Sequence, residues 1–492
     1  MSALKQVAGL SLLAMVSACS FAPELKIPEV PVAASYKETA PWVQAQPADQ
    51  LSRGDWWALF GDDELNQLQT RLIENNPNLA AALAHYQQAQ AYTDQARAAL
   101  FPSLSSNGQA GRNRVSEHRP LVPPNANIAP TYSAYSLGLQ ASYELDLWGR
   151  VRNTVKAGEA EAAAAEADLE SARLSLQAQL ADQFIVLRGL DQQLHILAET
   201  VKANDRALSL IRTRHDAGIA PGLDVTRAET QLETTRSQLE QVKAQRAVSE
   251  HAIAALVGES PSSFSIASRQ DVIALPEIPL GVPSTLLQRR PDIAAAQRRV
   301  ASANASIGVA KTAYFPALSL GAAFGYQSVS TGNWFTAPSN FWSIGPSMVF
   351  QLFDGGRRKA QVKQAEAVLN ENGAKYRGVV LEAFQQVEDN LARLNYYQTA
   401  ARSERAAAEA AQKTMDFAMN RYREGAANYL EVTTAQAQAL DTQRALLTLT
   451  VSQLRASVDL VRALGGGWQQ PEAGQATSNP QLGKQGSAQT PG

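Results

Sequence analysis

The chain contains one cysteine, and its surroundings predict a specific modification of the thiol. Lys5 precedes the apolar run Val7 to Val16, which ends in Val16-Ser17-Ala18-Cys19. A basic residue, a short apolar run and small residues are typical of a signal peptide, whereas a membrane helix needs about 20 apolar residues. A cysteine directly after small residues resembles a lipobox, where the thiol is acylated before cleavage. We therefore predict a signal peptide over residues 1–18 and a covalent lipid on Cys19; the alternative is a free thiol.

The other residues that often do chemistry show no catalytic arrangement. The histidines are scattered without the spacing of metal ligands: His85, His118, His195, His215 and His251. The sequence contains no glycine-rich phosphate loop and no nucleophile elbow. Its formal net charge of −2 gives no electrostatic reason to expect nucleic acid as a partner. We predict a protein that is not an enzyme and has no cofactor apart from the covalent lipid.

Two carboxylates, Asp224 and Glu431, occupy equivalent places in a duplicated sequence. Leu223-Asp224-Val225-Thr226 returns as Leu430-Glu431-Val432-Thr433, and Arg214-His215-Asp216-Ala217-Gly218 returns as Arg421-Tyr422-Arg423-Glu424-Gly425. Further matched segments, among them Phe101-Pro102 and Phe315-Pro316, follow in the same order in both halves. One structural unit is therefore used twice. The predicted division is an N-terminal segment (19–62), a first repeat (63–259), a linker (260–283), a second repeat (284–467) and a disordered tail (468–492).

Each repeat is predicted to contain a helix, two strands, a very long helix, a turn and a returning helix. No proline occurs from Arg150 to His215 or from Arg357 to Glu424. Each segment can therefore form one helix of about 65 residues, roughly 100 Å long. Within the first long helix a leucine or valine recurs every seven residues at Leu187, Leu194, Val201 and Leu208, which indicates coiled-coil packing.

The strand segments, hairpins at about 101–147 and 315–353, alternate between apolar and polar residues. Tyr135, Leu137 and Leu139 lie on one face, with Ser136, Gly138 and Gln140 between them. Alternation over about ten residues is typical of membrane barrel strands, although a soluble hairpin buried on one side shows the same pattern. Aromatic residues near the second loop favour a membrane interface: Trp334, Phe335, Phe341 and Trp342. Four strands are too few for a closed barrel, which has about eight or more, so several copies must contribute.

Together these features resemble the TolC-like outer-membrane factors, specifically their lipoprotein branch of drug-efflux channels. The resemblance depends on the lipobox at Cys19, the segment Asp55-Trp56-Trp57-Ala58-Leu59-Phe60, the two Phe-Pro junctions and the paired turn motifs. It implies a mixed α and β membrane protein that forms a homotrimer. A twelve-strand β-barrel in the outer-membrane lipid would continue as a twelve-helix α-barrel through the periplasm. Residues 20–62, the linker near 260–283 and the region after 465 would lie in an equatorial region.

The resemblance also implies a function. The trimer would be a lipid-anchored, passive exit duct for drugs or other toxic compounds, delivered by an inner-membrane pump through a periplasmic adaptor (a membrane fusion protein). In such lipoproteins, Ser20 rather than aspartate after the cysteine favours sorting to the bacterial outer membrane. The alternative is a lipid-anchored periplasmic coiled-coil adaptor or scaffold protein without a barrel.

In this family the helix-turn-helix tips close the periplasmic end and receive the adaptor. The resemblance assigns adaptor contacts to the turns, at Gly218, Ile219, Leu223, Gly425 and Leu430. Gly218 and Gly425 fit helix C-caps, where a left-handed conformation lets the chain turn.

The gate would consist of Asp224 and Glu431, paired with Arg421, Tyr422 or Arg423. Three chains would bring six carboxylates to the constriction, where they could bind cations. The alternative is that each carboxylate merely complements a helix dipole. Thr434 stands where family members often carry a second aspartate, so the pattern of the gate departs from the family there.

Overall fold

The computed structural model describes residues 20–31, 35–38, 55–116, 131–270, 273–276 and 289–466. The predicted signal peptide, Cys19 and the predicted tail lie outside the described residues. Within these residues the helices are α1 (Asp63–Asn75), α2 (Pro77–Ala98), α3 (Arg150–Asp216), α4 (Gly222–Leu256), α5 (Pro291–Thr312), α6 (Arg357–Arg423) and α7 (Tyr429–Ala463). The strands are β1 (Ser103–Arg114), β2 (Thr131–Glu144), β3 (Ala317–Ser328) and β4 (Asn340–Val349).

The predicted long helices are confirmed, because α3 and α6 each contain 67 residues. An aspartate that precedes each helix caps its N-terminal end. Asp146 accepts hydrogen bonds from the backbone N–H of Val151 (3.1 Å) and of Arg152 (2.9 Å). Asp354 likewise accepts from the backbone N–H of Arg358 at 3.2 Å. A carboxylate at this end satisfies free N–H groups and complements the positive end of the helix dipole.

The four strands form one antiparallel sheet in the order β1-β2-β3-β4. Pairing of β2 with β3 joins the two hairpins. Leu139 of β2 lies opposite Phe324 of β3, and Phe324 lies opposite Trp342 of β4. Large apolar side chains on this sheet stay exposed, as at Trp342 (72%) and Met348 (67%). Within the described part of the chain, β1 and β4 are the edges of the sheet.

Among the described residues, no helix is long and apolar enough to cross a bilayer.

The chain forms two compact units, and each draws residues from both repeats. Unit 1 lies within the ranges 1–30, 81–169 and 295–379, and it includes the sheet. Unit 2 lies within the ranges 31–80, 170–294 and 380–492. Neither repeat is a compact unit by itself. The predicted repeat boundaries therefore describe the duplication of the sequence, and as structural boundaries they stay a prediction.

Unit 2 contains a large apolar core and the predicted coiled-coil seam. The core includes the 3-10 helix Trp56–Phe60, whose Trp56, Trp57 and Phe60 are buried. Leu187 and Leu208 of the seam are buried, at 0% and 6% exposure. Both belong to the heptad pattern, and Leu194 and Val201 are partly buried, so the seven-residue period faces the interior as predicted, while coiled-coil packing stays a prediction.

A buried charge cluster in unit 2 holds the irregular linker. The carboxylate of Asp191 accepts hydrogen bonds from Arg188 Nη1 (2.9 Å), Arg246 Nε (2.7 Å) and Ser268 Oγ (2.9 Å). The same arginines donate to linker carbonyls, Arg188 to Ala267 at 2.8 Å and Arg246 to Ile266 at 2.6 Å. Side-chain donors thus replace the regular backbone hydrogen bonds that this segment lacks.

Candidate gating site at the two hairpin tips

Each repeat ends its long helix in a tight turn, and we name these turns the first tip (residues 214–225) and the second tip (residues 421–432). Gly218 and Gly425 have φ values of 72° and 77°. The N–H of Ile219 donates to Arg214 O at 2.8 Å, and the N–H of Ala426 donates to Arg421 O at 2.8 Å. A left-handed glycine with this backward hydrogen bond is a helix C-cap. The C-caps predicted at both glycines are confirmed.

The two carboxylates both lie in the first turn of the returning helix, Asp224 in α4 and Glu431 in α7. Their environments differ, however. The side chain of Asp224 is 12% exposed and has an ion pair with Arg227 at 3.9 Å. The side chain of Glu431 is 44% exposed. The duplicated sequence therefore places one carboxylate against the protein and the other toward solvent.

In the second tip the arginine pairs with the carboxylate of its own turn. Arg421 Nη1 lies 3.2 Å from Glu431 Oε2, and Arg421 Nη2 donates to Ala426 O at 3.0 Å. The Arg421 side chain is 57% exposed. An exposed pair of this kind contributes about 1 kcal/mol or less, because water screens both charges. The contact closes the second tip on itself.

In the first tip the equivalent arginine, Arg214, reaches across to the second tip. Its Nη1 donates to Tyr422 O at 2.9 Å, and its Nη2 donates to Arg423 O at 2.6 Å. The guanidinium carbon lies 5.1 Å from the centre of the Tyr422 ring. A cation at the last carbonyls of a helix satisfies acceptors that have no partner within the helix. Arg214 thus joins the two tips of one chain.

Arg214 was not among the gate residues predicted from the sequence. Its alignment with Arg421 was visible in the repeat, but the repeat could not show that the two arginines have different partners. Arg423, predicted as a side-chain partner of the carboxylates, contributes its main-chain carbonyl to Arg214. Thr434 is exposed, and its Oγ1 donates to Leu430 O at 2.9 Å, within α7.

A pair of tyrosines lies beneath these contacts. The rings of Tyr422 and Tyr429 are 5.4 Å apart and tilted, and both residues are buried. Burial raises the pKa of Tyr422, the charge of Asp224 raises it further, and Arg214 opposes the shift. Burial raises the pKa of Tyr429 to about 12, with smaller contributions from Tyr422 and Asp224. Tyr422 Oη has no hydrogen-bond partner among the described residues.

Three of the residues predicted to contact an adaptor present apolar side chains to solvent. Ile219 is 73% exposed, Leu223 is 58% exposed and Leu430 is 49% exposed. Two of them belong to the first tip and one to the second. Exposed apolar side chains at the end of a polar helical hairpin are typical of contact surfaces.

Among the described residues, no group of three or more histidine, cysteine, aspartate or glutamate side chains is arranged to hold a metal ion.

Comparison with known proteins agrees with this architecture. The family model for outer membrane efflux proteins matches residues 68–259 and 282–466. The toluene efflux pump outer membrane protein TtgC of Pseudomonas putida is 32% identical over 479 residues, which cover 97% of this chain and 97% of the relative. The antibiotic efflux pump outer membrane protein ArpC of Pseudomonas putida has the same identity, 32% over 479 residues, with 97% of each chain covered. The solved outer-membrane channel OprN covers 92% of this chain and 100% of its own, with a TM-score of 0.84 and 30% identity.

These matches confirm the predicted outer-membrane location and the mixed α and β channel fold. They favour the channel of an efflux system over a coiled-coil adaptor, and a passive conduit over an enzyme. The relatives and the family model extend over both repeats, so the resemblance is not limited to one motif. The chain belongs to the outer membrane efflux protein family.

Proposed function

We propose that three copies of this chain close one channel. Each chain supplies four strands, and within the described residues β1 and β4 are edges. A bilayer offers no hydrogen-bond partner to a strand edge, and closed membrane barrels have about eight strands or more. Three chains provide twelve strands, and their α3, α4, α6 and α7 provide twelve helices for the continuing α-barrel. Light scattering of the detergent-purified protein should give three times the mass of one mature chain, and a monomer would contradict the proposal.

The channel is proposed to be a passive duct for toxic compounds. An inner-membrane pump would deliver them through a periplasmic adaptor, and the channel would do no chemistry. The names of the relatives support this cargo class, because TtgC is named for toluene efflux and ArpC for antibiotic efflux. A deletion strain should lose growth on a panel of antibiotics and solvents. Unchanged growth on every compound would contradict this cargo class.

The tips are proposed to form the gate at the periplasmic end. Three chains would bring six carboxylates together, from Asp224 and Glu431. The observation that supports the proposal is that Arg214 joins the two tips of one chain and Arg421 pairs with Glu431. Adaptor contacts would favour an open state by separating the tips, as any ligand shifts an equilibrium by its differential affinity.

Removing both carboxylates tests this gate. The variant with Asp224→Ala and Glu431→Ala should show higher conductance in lipid bilayers and lose block by cations. A matched control removes two exposed carboxylates elsewhere on α3 and α4, with Asp205→Ala and Glu233→Ala (62% and 66% exposed). If the carboxylates only complement helix dipoles, conductance will not change and stability will fall by about 0.3–1 kcal/mol for each.

The adaptor is proposed to dock on Ile219, Leu223 and Leu430. Replacing Ile219 and Leu223 with serine should weaken binding of the purified adaptor at least about tenfold, because buried apolar area stabilises such contacts. Val248 of α4 is 67% exposed and lies outside the tips, so Val248→Ser is the control. Equal binding by the tip variant and the control would contradict the docking surface.

The lipid on Cys19 is proposed to anchor the chain to the outer membrane. Mass spectrometry of the mature N-terminus measures this directly. A cleaved chain that begins at acylated Cys19 is expected, and an unmodified thiol would contradict the anchor while leaving the channel untouched.

A further inference from the structure

The first residues after Cys19 are docked on an aromatic cluster of unit 1. The ring of Phe21 stacks on Phe315, with centroids 4.5 Å apart and an interplanar angle of 12°. The Phe315 ring in turn stacks on Trp148 at 4.9 Å. Trp148 Nε1 donates a hydrogen bond to Pro316 O at 2.8 Å, which fixes the indole. Stacked rings of this kind stabilise a contact beyond the area they bury.

Two buried asparagines hold the polar atoms of the same segment. Ser20 Oγ donates to Asn153 Oδ1 at 3.1 Å. Asn304 Nδ2 donates to Pro23 O at 2.8 Å. Asn153 is 1% exposed and Asn304 is 7% exposed, so both amides are held within the fold. Ser20 and Pro23 are therefore bound on either side of Phe21.

A glycine in α5 gives the segment room. A Cβ atom added to Gly308 would lie 2.7 Å from Asn153 Nδ2 and 2.9 Å from the backbone nitrogen of Ala22. Real Cβ atoms do not approach backbone atoms this closely, so the segment depends on the missing side chain at this position. The following residues are held less closely, since Leu25 and Ile27 are 44% and 36% exposed. The segment comes close to a helix again at Pro28, whose Cγ would lie 3.2 Å from a Cβ added to Gly373 of α6.

This docking site lies where the strands end. Phe315 comes two residues before β3, and Trp148 follows β2. Large apolar side chains at the corresponding ends of β1 and β4 are exposed: Phe101 by 71%, Leu352 by 85% and Phe353 by 85%. Exposed aromatic and apolar side chains at the ends of membrane strands lie at the lipid interface. The docked segment therefore begins at the level of that interface.

We propose that Trp148, Asn153, Asn304, Gly308 and Phe315 form an anchor seat, which fixes the acylated N-terminus beside the strand ends. The inference rests on the proposed acylation of Cys19. Cys19 is two residues from Phe21, and two residues of extended chain reach only about 7 Å. The acyl chains thus enter the bilayer at the level where the strands end.

A spin label placed just after the seat tests the proposal. Cys19 is the only cysteine, and acylation blocks its thiol, so Glu24→Cys at an exposed position supplies a unique labelling site. In the purified full-length protein in phospholipid nanodiscs, the nitroxide should show a restricted spectrum. Adding Gly308→Ala should make the label at least about tenfold more mobile, because the new methyl group displaces both Ala22 and the Asn153 side chain that holds Ser20. The control is Gly378→Ala, since a Cβ at Gly378 of α6 meets nothing within 4 Å.

A second pair of variants tests the consequence in cells. Phe21→Ala should slow delivery of the acylated chain to the outer membrane several-fold in a pulse-chase experiment, whereas Leu25→Ala in the same segment should not. Equal label mobility with and without Gly308→Ala, or equal delivery rates for the Phe21 and Leu25 variants, would overturn the proposal.

Labelling also distinguishes a failure of the anchor seat from a failure of the acylation of Cys19. Two labels per chain in the E24C variant would show a free Cys19 and overturn the acylation. In that case, a label on Cys19 itself in the otherwise unchanged chain still reports the seat, through the same comparison of Gly308→Ala with Gly378→Ala.

Discussion

The two tips come from one duplicated sequence, yet their arginines have different partners. Arg421 contacts Glu431 within its own turn, whereas Arg214 donates to Tyr422 O and Arg423 O of the other turn. The aromatic residues account for this difference. His215 and Gly222 stand in the first tip where Tyr422 and Tyr429 stand in the second.

The buried pair Tyr422 and Tyr429 gives the second tip a packed aromatic surface, which we name the platform. Tyr429 is 1% exposed, and Tyr422 lies between it and the guanidinium of Arg214. In the first tip, Gly222 stands at the position of Tyr429 and contributes no side chain. A Cβ added to Gly222 would lie 3.6 Å from His215 Cε1. The second tip is therefore the packed partner, and the first tip is attached to it through Arg214.

The largest expected effect comes from removing the platform. Tyr429→Ala should destabilise the second tip by about 3–5 kcal/mol, because truncation of a buried aromatic side chain leaves a cavity. His215→Ala in the first tip should cost less than about 1 kcal/mol, since its ring is exposed. Hydrogen exchange of the two turns measures both effects. Equal losses of protection would mean that the tips are not different in packing.

Removing the attachment should have the next largest effect. Arg214→Gln deletes two charged donors and a cation–π contact, and hydrogen bonds to charged groups contribute about 1.5–3 kcal/mol. Because about 1.4 kcal/mol is a factor of ten, the open population should rise at least about tenfold. Single-channel recording in lipid bilayers measures it. An open probability no higher than that of Arg421→Gln would contradict the different roles of the two arginines.

Alkaline pH should loosen the second tip alone. The pKa of Tyr429 is raised from its ordinary value to about 12, so the folded state keeps its proton while the unfolded state loses it. The stabilisation is fully present below about pH 10 and is lost as the pH rises through about 12. Hydrogen exchange corrected for intrinsic rates should show this dependence in the wild type and a weaker one in Tyr429→Phe. The remainder belongs to Tyr422, whose pKa is also raised by burial, and it should disappear when Tyr422→Phe is added. The same dependence in Tyr429→Phe would assign the loss to another group.

The smallest effect is expected from salt. The pair of Arg421 and Glu431 is exposed, so raising ionic strength from about 0.1 M to about 1 M should weaken it by less than about 1 kcal/mol. Arg214 contacts carbonyls and a ring rather than a carboxylate, so its attachment should change less. Hydrogen exchange of the two turns, measured at both salt concentrations in the Arg214→Gln and Glu431→Gln variants, distinguishes the Arg421–Glu431 pair from the Arg214 contacts. Salt sensitivity that persists in Glu431→Gln would contradict the assignment.

The sequence by itself determined the repeat, the two long helices, the alternating strands and the glycine C-caps. These features depend on residues close together in the chain: the absence of proline over each long segment, the seven-residue period, and Gly218 or Gly425 directly after a helix. The match between Asp224 and Glu431 was also readable, because both follow the same short motif.

Only the tertiary structure decided what those residues contact. Arg214 and Tyr422 are 208 positions apart, and Ser20 and Asn153 are 133 positions apart. Local patterns carry no information on which distant side chain lies within hydrogen-bond reach. In a repeated sequence, the two equivalent arginines are each expected to pair with the carboxylate of their own turn. The burial of Asp224, the exposure of Glu431 and the docking of Phe21 follow from packing between distant segments, which the order of residues does not display.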